Sequence, residues 1–244
     1  MRRAAVAGAL IFLISAYLIL LVLDPLVVKR LGHEDGPIES LGAIFFLLAA
    51  SGFAVLAIQS AADQRMLQGI SVRRTLAFAS LAILLAVCCG EEISWGQRIF
   101  GWRTPEFFSN HNAQNETNLH NIQAVHQWNA DGSEKGFVGK LVNMNRLFSV
   151  FWLAFFVILP LSAARSVRVR RWVTRIGLPV PPLWAGALFL ASYGLYKILA
   201  SLYAGTARAH TLDEFKEMSY AAIYAMVAVS CLVDHTLGQS ATRD

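Results

Sequence analysis

Six long uncharged stretches divide this 244-residue chain. Each contains 16 to 23 residues, and they run over residues 4–23, 40–62, 75–90, 147–164, 176–196 and 218–233. A helix rises about 1.5 Å per residue, so roughly 20 residues cross a hydrocarbon core of about 30 Å. We therefore predict an all-α, polytopic membrane helix bundle. In the shorter stretches, flanking residues complete the span. The expected spans are about 4–23, 40–62, 75–95, 147–164, 180–203 and 215–233.

The composition argues against a soluble protein. Hydrophobic residues make up 56% of the chain and charged residues only 15%, against roughly 25% in ordinary soluble domains. The three cysteines, Cys88, Cys89 and Cys231, all fall inside expected spans, which indicates packing rather than a disulfide framework. No repeat or low-complexity tract divides the sequence, so we expect one integral-membrane domain over residues 1–244.

The basic residues predict the orientation of the bundle. Five arginines directly follow one expected span, at positions 165, 168, 170, 171 and 175. Cytoplasmic loops retain Lys and Arg, so this cluster and the arginines at 2, 3, 65, 73 and 74 belong inside. Six spans then place both termini in the cytoplasm and the large loop, residues 96–146, in the periplasm. The net charge of +5 is explained by topology, and no nucleic-acid partner is expected.

The acidic residues are distributed asymmetrically across the predicted membrane. Thirteen of the sixteen Asp and Glu residues, and five of the six histidines, lie on the outer side. Acidic residues contribute little to topology, so the positive-inside rule does not require this asymmetry. It indicates either a solvated acidic rim or a polar site on the outer face.

The segment from Gly90 to Arg98, GEEISWGQR, continues the third span. If the helix extends through it, Glu91, Trp95 and Arg98 lie on one face at i, i+4 and i+7, and Glu92 lies about 100° away. Carboxylates near lipid are costly unless they face a wet or protein-lined interior, so the pair favours an internal site. The alternative is an interfacial helix end with a Trp belt residue and a Glu/Arg ion pair.

The outer loop contains a second polar motif. Asparagines recur at 112, 115, 118 and 121, and Glu116 and His120 are four residues apart. On a helix, that spacing places a carboxylate and an imidazole within reach of one metal ion. The alternative is a polar surface helix without a ligand.

Two further acidic segments begin expected spans. Asp213, Glu214 and Glu217 precede the last span, and Glu39 lies at the start of the second. Acids in the first turn of a helix interact favourably with its dipole, which explains part of this pattern. Because every outer connection carries such a segment, we expect the segments to converge into one pocket that opens outward.

Parts of the chain resemble a family of bacterial multi-pass membrane proteins of no established activity. The resemblance rests on Glu34-Asp35-Gly36 with Glu39, on GEEISWGQR at 90–98, on Thr104-Pro105-Glu106 and on NETNLHN at 115–121. It covers about half of the chain and implies a bacterial inner-membrane protein. The late His-x-x-x-His pair expected of alkaline ceramidase-like membrane hydrolases is absent from this sequence, so their activity is not carried over.

The leading hypothesis is a membrane hydrolase or transferase that acts on a lipid or lipid-linked headgroup, with a divalent metal ion (Zn, Mn, Mg or Ca) as cofactor. We predict Glu116, His120 and Glu92 as metal ligands. The predicted catalytic residues are Glu91, Glu92 and Asp213. Substrate binding is assigned to Arg98, Arg208, Asn115, Asn118, Trp95 and Glu39. The alternatives are an ion-coupled transporter and a non-catalytic lipid-binding or envelope-assembly subunit; the sequence identifies no protein partner.

Overall fold

The computed structural model describes residues 2–33, 36–62, 68–113, 115–125, 133, 135–136, 139, 141 and 143–240. Glu34 and Asp35, which contribute to the family resemblance, lie outside these residues. Eleven α-helices cover most of the described chain: α1 (Arg2–Val22), α2 (Pro25–Leu31), α3 (Pro37–Ala62), α4 (Gln68–Glu92), α5 (Gln97–Phe100), α6 (Glu106–His111), α7 (Met144–Trp152), α8 (Leu159–Arg165), α9 (Val167–Ile176), α10 (Leu183–Leu202) and α11 (Ala207–Ser240).

The predicted all-α membrane bundle is confirmed. Among the described residues, five helical segments are long and apolar enough to cross a membrane: Pro37–Ala62, Val72–Glu92, Arg146–Arg165, Leu183–Leu202 and Arg208–Asp234. The first predicted span is helical as α1, but its apolar part, Ala7–Val22, is shorter than the other five segments. The segment Arg146–Arg165 is continuous because a π-helical turn, Leu153–Ile158, joins α7 to α8.

Helix α3 packs along both α4 and α11, and α10 packs on the other side of α11. Two glycines permit close approaches between these helices. A Cβ atom at Gly52 would lie 2.9 Å from Cβ of Ala228 in α11, and one at Gly186 would lie 2.3 Å from the backbone oxygen of Phe156. A backbone oxygen cannot rotate away as a side chain can, so the contact between α10 and the π-helical turn requires glycine at position 186.

A cluster of buried aromatic rings holds α7, α10 and α11 together. The Phe189 ring lies 4.7 Å from Phe156, 5.0 Å from Tyr220 and 5.2 Å from Trp152, measured between centroids. Aromatic pairs at these separations stabilise a core beyond the free energy of burying their area. The cluster therefore fixes the helix positions beneath the polar groups described next.

The two ends of the bundle differ in charge. The end of α4 and the starts of α3 and α11 carry Glu91, Glu92, Glu39 and Asp213, and they meet at one end beneath residues 93–125. At the opposite end, Arg73 of α4 donates a hydrogen bond to the backbone oxygen of Arg175, over 2.8 Å. Acidic and basic residues are thus separated along the helix axes.

Candidate functional site

The acidic end of α4 is followed by a tight chain reversal. The helix ends at Glu92, and Ser94, Trp95 and Gly96 have φ values of 45°, 55° and 79°. A residue with a side chain adopts such left-handed values only where surrounding contacts hold it. The predicted helical face of Glu91, Trp95 and Arg98 is therefore wrong, because the α-helix does not continue through this turn. The Trp95 indole still donates a 2.7 Å hydrogen bond to Glu91.

The described residues of segment 112–125 form a turn-rich loop, not the predicted helix. Asn112 and Ile122 form an antiparallel bridge, and Asn115 has a left-handed φ of 59°. Asparagine tolerates this conformation better than most residues because its short side chain can hydrogen-bond locally. The prediction that Glu116 and His120 share a helical face is therefore wrong.

The asparagine side chains build this loop. The amide nitrogen of Asn112 donates to the backbone oxygen of Asn118 over 2.9 Å and to its side-chain oxygen over 2.8 Å. The Asn112 side-chain oxygen accepts from the backbone N–H of Glu116 over 3.2 Å. Asn118, predicted to bind substrate, is buried and also donates to Glu116 over 2.8 Å. The regularly spaced asparagines therefore stabilise a folded loop through side-chain hydrogen bonds.

Glu116 anchors the loop to the chain reversal after α4. Its side chain is paired with the Arg98 guanidinium, and the Ser94 hydroxyl donates to its second oxygen over 2.8 Å. The residue is only 7% exposed. The hydrogen bonds to Ser94 and Asn118 and the ion pair with Arg98 engage both carboxylate oxygens. Glu116 and Arg98, predicted as a metal ligand and a substrate-binding residue, thus form a structural ion pair.

Glu91 positions His120. One carboxylate oxygen of Glu91 accepts hydrogen bonds from the backbone N–H groups of Leu119 and His120, over 2.7 and 2.9 Å. The same oxygen lies 3.2 Å from Nδ1 of His120, which donates to it. Within the described part of the chain no hydrogen bond involves Nε2 of His120, so that nitrogen is available to a ligand.

His120 lines a cavity of about 640 Å³ between the helices, here called the acidic cavity. Three of its walls are single helical faces, because each contributes residues at positions i, i+3, i+4 and i+7. From α4 come Leu84, Val87, Cys88 and Glu91; from α7 come Met144, Leu147, Phe148 and Phe151; from α11 come His210, Asp213, Glu214 and Glu217. The α7 wall is apolar, and the α11 wall is polar.

Further carboxylates complete the polar wall. Glu39 of α3 and Glu92 of α4 line the cavity together with Asp213. Lys216 pairs with Asp213 and lies 3.3 Å from a carboxylate oxygen of Glu217. The structure thus brings the acids predicted from three outer connections into one cavity.

Four predicted substrate-binding residues, Arg98, Arg208, Asn115 and Trp95, are absent from the cavity lining that the structure describes, whereas Asn118 and Glu39 line it. Arg208 donates hydrogen bonds of 2.5, 2.9 and 2.6 Å to the backbone oxygens of Leu20, Leu21 and Leu23 at the end of α1. Its guanidinium therefore caps a helix. Asn115 lies at a turn and its backbone oxygen accepts from Thr104, while Trp95 packs over Gly90.

The cavity also contains residues that the sequence did not assign to the site. Glu214 and Glu217 line the α11 wall, and Cys88, interpreted from sequence as a packing residue, lines the α4 wall. The spacing of Glu214 and Glu217 from His210, i+4 and i+7, could have indicated their shared face. The sequence held no comparable signal for Phe148 and Phe151, whose role follows from the placement of α7.

The predicted metal centre is not formed by these contacts. Among the described residues, no group of three or more His, Cys, Asp and Glu side chains has a geometry that could hold a metal ion. The predicted ligands Glu116, His120 and Glu92 do not form such a group, since Glu116 already accepts bonds from Arg98, Ser94 and Asn118. The divalent ion stays a prediction.

The environment of His120 predicts its titration. Burial lowers the pKa of His120. The hydrogen bond with Glu91 and the nearby charges of Glu217, Glu91 and Glu116 raise the pKa by more than burial lowers it, so the net pKa lies above the ordinary value of about 6.5. Protonation removes the free electron pair of Nε2, so any binding or proton transfer that needs neutral His120 is lost as the pH falls through this raised pKa. Glu91→Gln removes a negative charge and should shift the midpoint to lower pH.

Diethylpyrocarbonate, which modifies neutral imidazole, measures this titration without a known substrate. The modification rate of the His120 peptide, followed by mass spectrometry against pH, should have a midpoint above about 6.5 in the folded protein. Denatured protein serves as the reference and should titrate near that value. An unchanged midpoint in the Glu91→Gln variant would contradict the assigned cause.

Comparisons with known proteins give no relative: no family model, curated protein or solved structure matches this chain.

Proposed function

We propose that this chain is an integral-membrane enzyme that binds a lipid or lipid-linked substrate in the acidic cavity and acts on its headgroup. The observation that carries the proposal is the division of one cavity into an apolar wall and a wall of carboxylates beside His120. Ligand sites typically combine a mainly apolar lining with a few convergent polar groups. A molecule with an apolar chain and a polar head matches this arrangement.

The apolar wall suits a hydrocarbon chain. Leu147, Phe148 and Phe151 of α7 line the cavity together with Leu84 and Val87 of α4. An apolar lining of this kind accommodates a hydrocarbon chain without exposing it to water. The headgroup would then lie against Glu39, Glu92 and the acids of α11, which accept hydrogen bonds from hydroxyl or amino groups.

His120 is the proposed general base. Glu91 accepts a hydrogen bond from Nδ1, which fixes the ring and its tautomer and leaves Nε2 to take a proton from water or a substrate hydroxyl. The deprotonated oxygen would form a bond to the electrophilic atom of the headgroup linkage while the bond from that atom to the leaving oxygen breaks, and the proton held on Nε2 would pass to the leaving oxygen. Glu92 and Asp213, predicted as catalytic from the sequence, are proposed to position the headgroup from the polar wall. Metal analysis of the purified protein tests the predicted divalent ion separately.

A second candidate function is ion-coupled transport. The observation that favours it is Lys216, which lies within the apolar segment Arg208–Asp234 and pairs with both Asp213 and Glu217 beside the cavity. Ionisable groups inside membrane helices often mark ion pathways. Proteoliposomes separate the two functions, because a carrier moves its ligand unchanged whereas the enzyme releases a product.

Cys88 allows occupancy of the cavity to be measured. A variant with Cys89→Ser and Cys231→Ser retains one thiol, at the cavity wall, and alkylation by an apolar maleimide should slow severalfold when a suitable lipid fills the cavity. Phosphatidylethanolamine and phosphatidylglycerol, whose headgroups carry an amino group and hydroxyl groups respectively, are candidate ligands. The matched control retains Cys231 instead, on α11 outside the cavity lining, and its alkylation should not change. Two results would argue against a lipid-binding cavity. One is that a lipid protects both thiols from alkylation equally, and the other is that no lipid protects either thiol.

The proposed location is the bacterial inner membrane, with both termini cytoplasmic and the acidic cavity open to the periplasm. The arginine cluster at 165–175 supports this orientation. A cysteine at exposed Ser109, in a variant without the three native cysteines, should react with an impermeant thiol reagent in intact spheroplasts. If the cysteine reacted only after lysis, the orientation would be the opposite of the one proposed.

A further inference from the structure

Helix α9 is short, basic and amphipathic. With 100° between successive residues, four of its five apolar side chains, Val169, Trp172, Val173 and Ile176, fall within an arc of roughly 100°, and Val167 lies outside it. Arg168, Arg171 and Arg175 fall within a second arc of roughly 60°, beside Trp172. We call these four residues, Arg168, Arg171, Trp172 and Arg175, the arginine–tryptophan face.

The packing of α9 turns this face away from the protein. Val173 is buried, and the backbone oxygen of Arg175 accepts a hydrogen bond from Arg73 of α4. Directly after α9, Gly177 has a φ of 70°, and a Cβ atom there would lie 2.5 Å from the backbone nitrogen of Arg74. The helix is therefore fixed against the start of α4 through Val173 and its C-terminus. Arg168, Arg171 and Arg175 are exposed, and Trp172 is 58% exposed.

The chain on either side places α9 at the membrane surface. The membrane segment Arg146–Arg165 ends two residues before Val167, and Ser166 caps α9 through its hydroxyl, which accepts from the backbone N–H of Val169. The next membrane segment begins at Leu183. A ten-residue helix with such short connections to two spans has to lie at the end of the bundle, where lipid headgroups surround it.

We propose that the arginine–tryptophan face binds the headgroups of anionic phospholipids in the leaflet at the basic end of the bundle. A guanidinium forms paired hydrogen bonds with phosphate oxygens, and an indole prefers the boundary between headgroups and acyl chains. Three arginines on one side of a helix, with Trp172 at their edge, match a layer of lipid phosphates. The segment 165–182 contains no acidic residue that could neutralise them from within.

Native mass spectrometry of the detergent-purified protein tests this face. With phosphatidylglycerol and phosphatidylcholine added in equal amounts, the unmodified protein should retain more phosphatidylglycerol, and the preference should fall as salt rises from about 50 to about 500 mM. The variant R168Q/R171Q/R175Q should lose roughly fivefold in preference for each arginine removed. The matched control is Arg170→Gln, since Arg170 lies on the other side of α9, and it should keep most of the preference.

Several results would overturn the proposal. One is an absence of headgroup preference in the unmodified protein, and another is an equal loss in the Arg170→Gln control, which would indicate diffuse charge. Tighter binding to duplex DNA than to phosphatidylglycerol vesicles would assign the face to a different partner. If the triple variant unfolds, the test uses Arg171→Gln alone and the salt dependence of the unmodified protein. An unchanged preference for phosphatidylglycerol in both measurements would overturn the proposal. Protection of Cys88 in the acidic cavity is independent of this face and should persist in all α9 variants.

Discussion

Replacement of His120 by alanine is expected to reduce turnover by roughly 10²- to 10⁴-fold, the usual contribution of a positioned general base. The protein should remain folded, because Glu91 keeps its hydrogen bonds with the Trp95 indole and with the backbone N–H groups of Leu119 and His120. The measurement compares lipids by mass spectrometry in a deletion strain that carries either the unmodified gene or the variant. The substrate should accumulate with the variant.

Two matched controls distinguish a catalytic role from general damage to the loop. His111→Ala removes an exposed imidazole whose Nδ1 lies 2.8 Å from the backbone oxygen of Phe107 and which does not line the acidic cavity, so lipid composition should be unchanged. Glu92→Gln in the cavity should impair turnover, whereas Glu106→Gln on exposed α6 should not. Normal lipids in the His120→Ala strain would remove the general base from the proposal.

Replacement of Glu116 by alanine is expected to destabilise the outer loop by about 2–3 kcal/mol, the range for hydrogen bonds to a charged group. The change leaves the Ser94 hydroxyl and the Asn118 amide without their acceptor and removes the partner of Arg98. Loss of a fully buried ion pair would cost more, but the Arg98 side chain is 32% exposed and water replaces part of the interaction. Limited proteolysis over 112–125, titrated with denaturant, measures the local opening free energy.

The matched variant is Glu106→Ala, an acid on exposed helix α6 in the same outer segment. Surface substitutions of this kind usually change stability by less than about 0.5 kcal/mol. Similar protection of the loop in the Glu116 and Glu106 variants would show that the network around Glu116 does not hold the loop.

The membrane helices were predictable from sequence because their signal is local. An apolar run must be about as long as the bilayer is thick, so the prediction of 40–62 corresponds to Pro37–Ala62 and that of 180–203 to Leu183–Leu202. The end of α4 was not predictable in the same way. Its left-handed turn depends on contacts such as that of Ser94 with Glu116, 22 residues later, which a helical pattern does not reveal.

The candidate site was predictable in composition and only partly in geometry. Every outer connection carries acidic residues, and a helix bundle brings the ends of its helices together. The sequence therefore predicted that Glu39, Glu92 and Asp213 meet in one pocket. The Glu116–His120 spacing suggested a helix, but asparagine side chains compete with helical hydrogen bonds and produced turns. Glu116 and His120 both line the cavity, but Glu116 is paired with Arg98 and His120 with Glu91.

The central part of the loop over the acidic cavity is held by side chains, and this determines how that part can open. The backbone N–H groups of Glu116, Thr117, Leu119 and His120 donate to side-chain oxygens of Asn112, Gln97 and Glu91. In helices and sheets, many separate backbone hydrogen bonds protect the amides from hydrogen exchange. Here the single carboxylate of Glu91 protects two amides. Competition by a ligand for the Glu91 carboxylate would release Leu119 and His120 together. A ligand that competes for this carboxylate is therefore expected to increase hydrogen exchange at both amides.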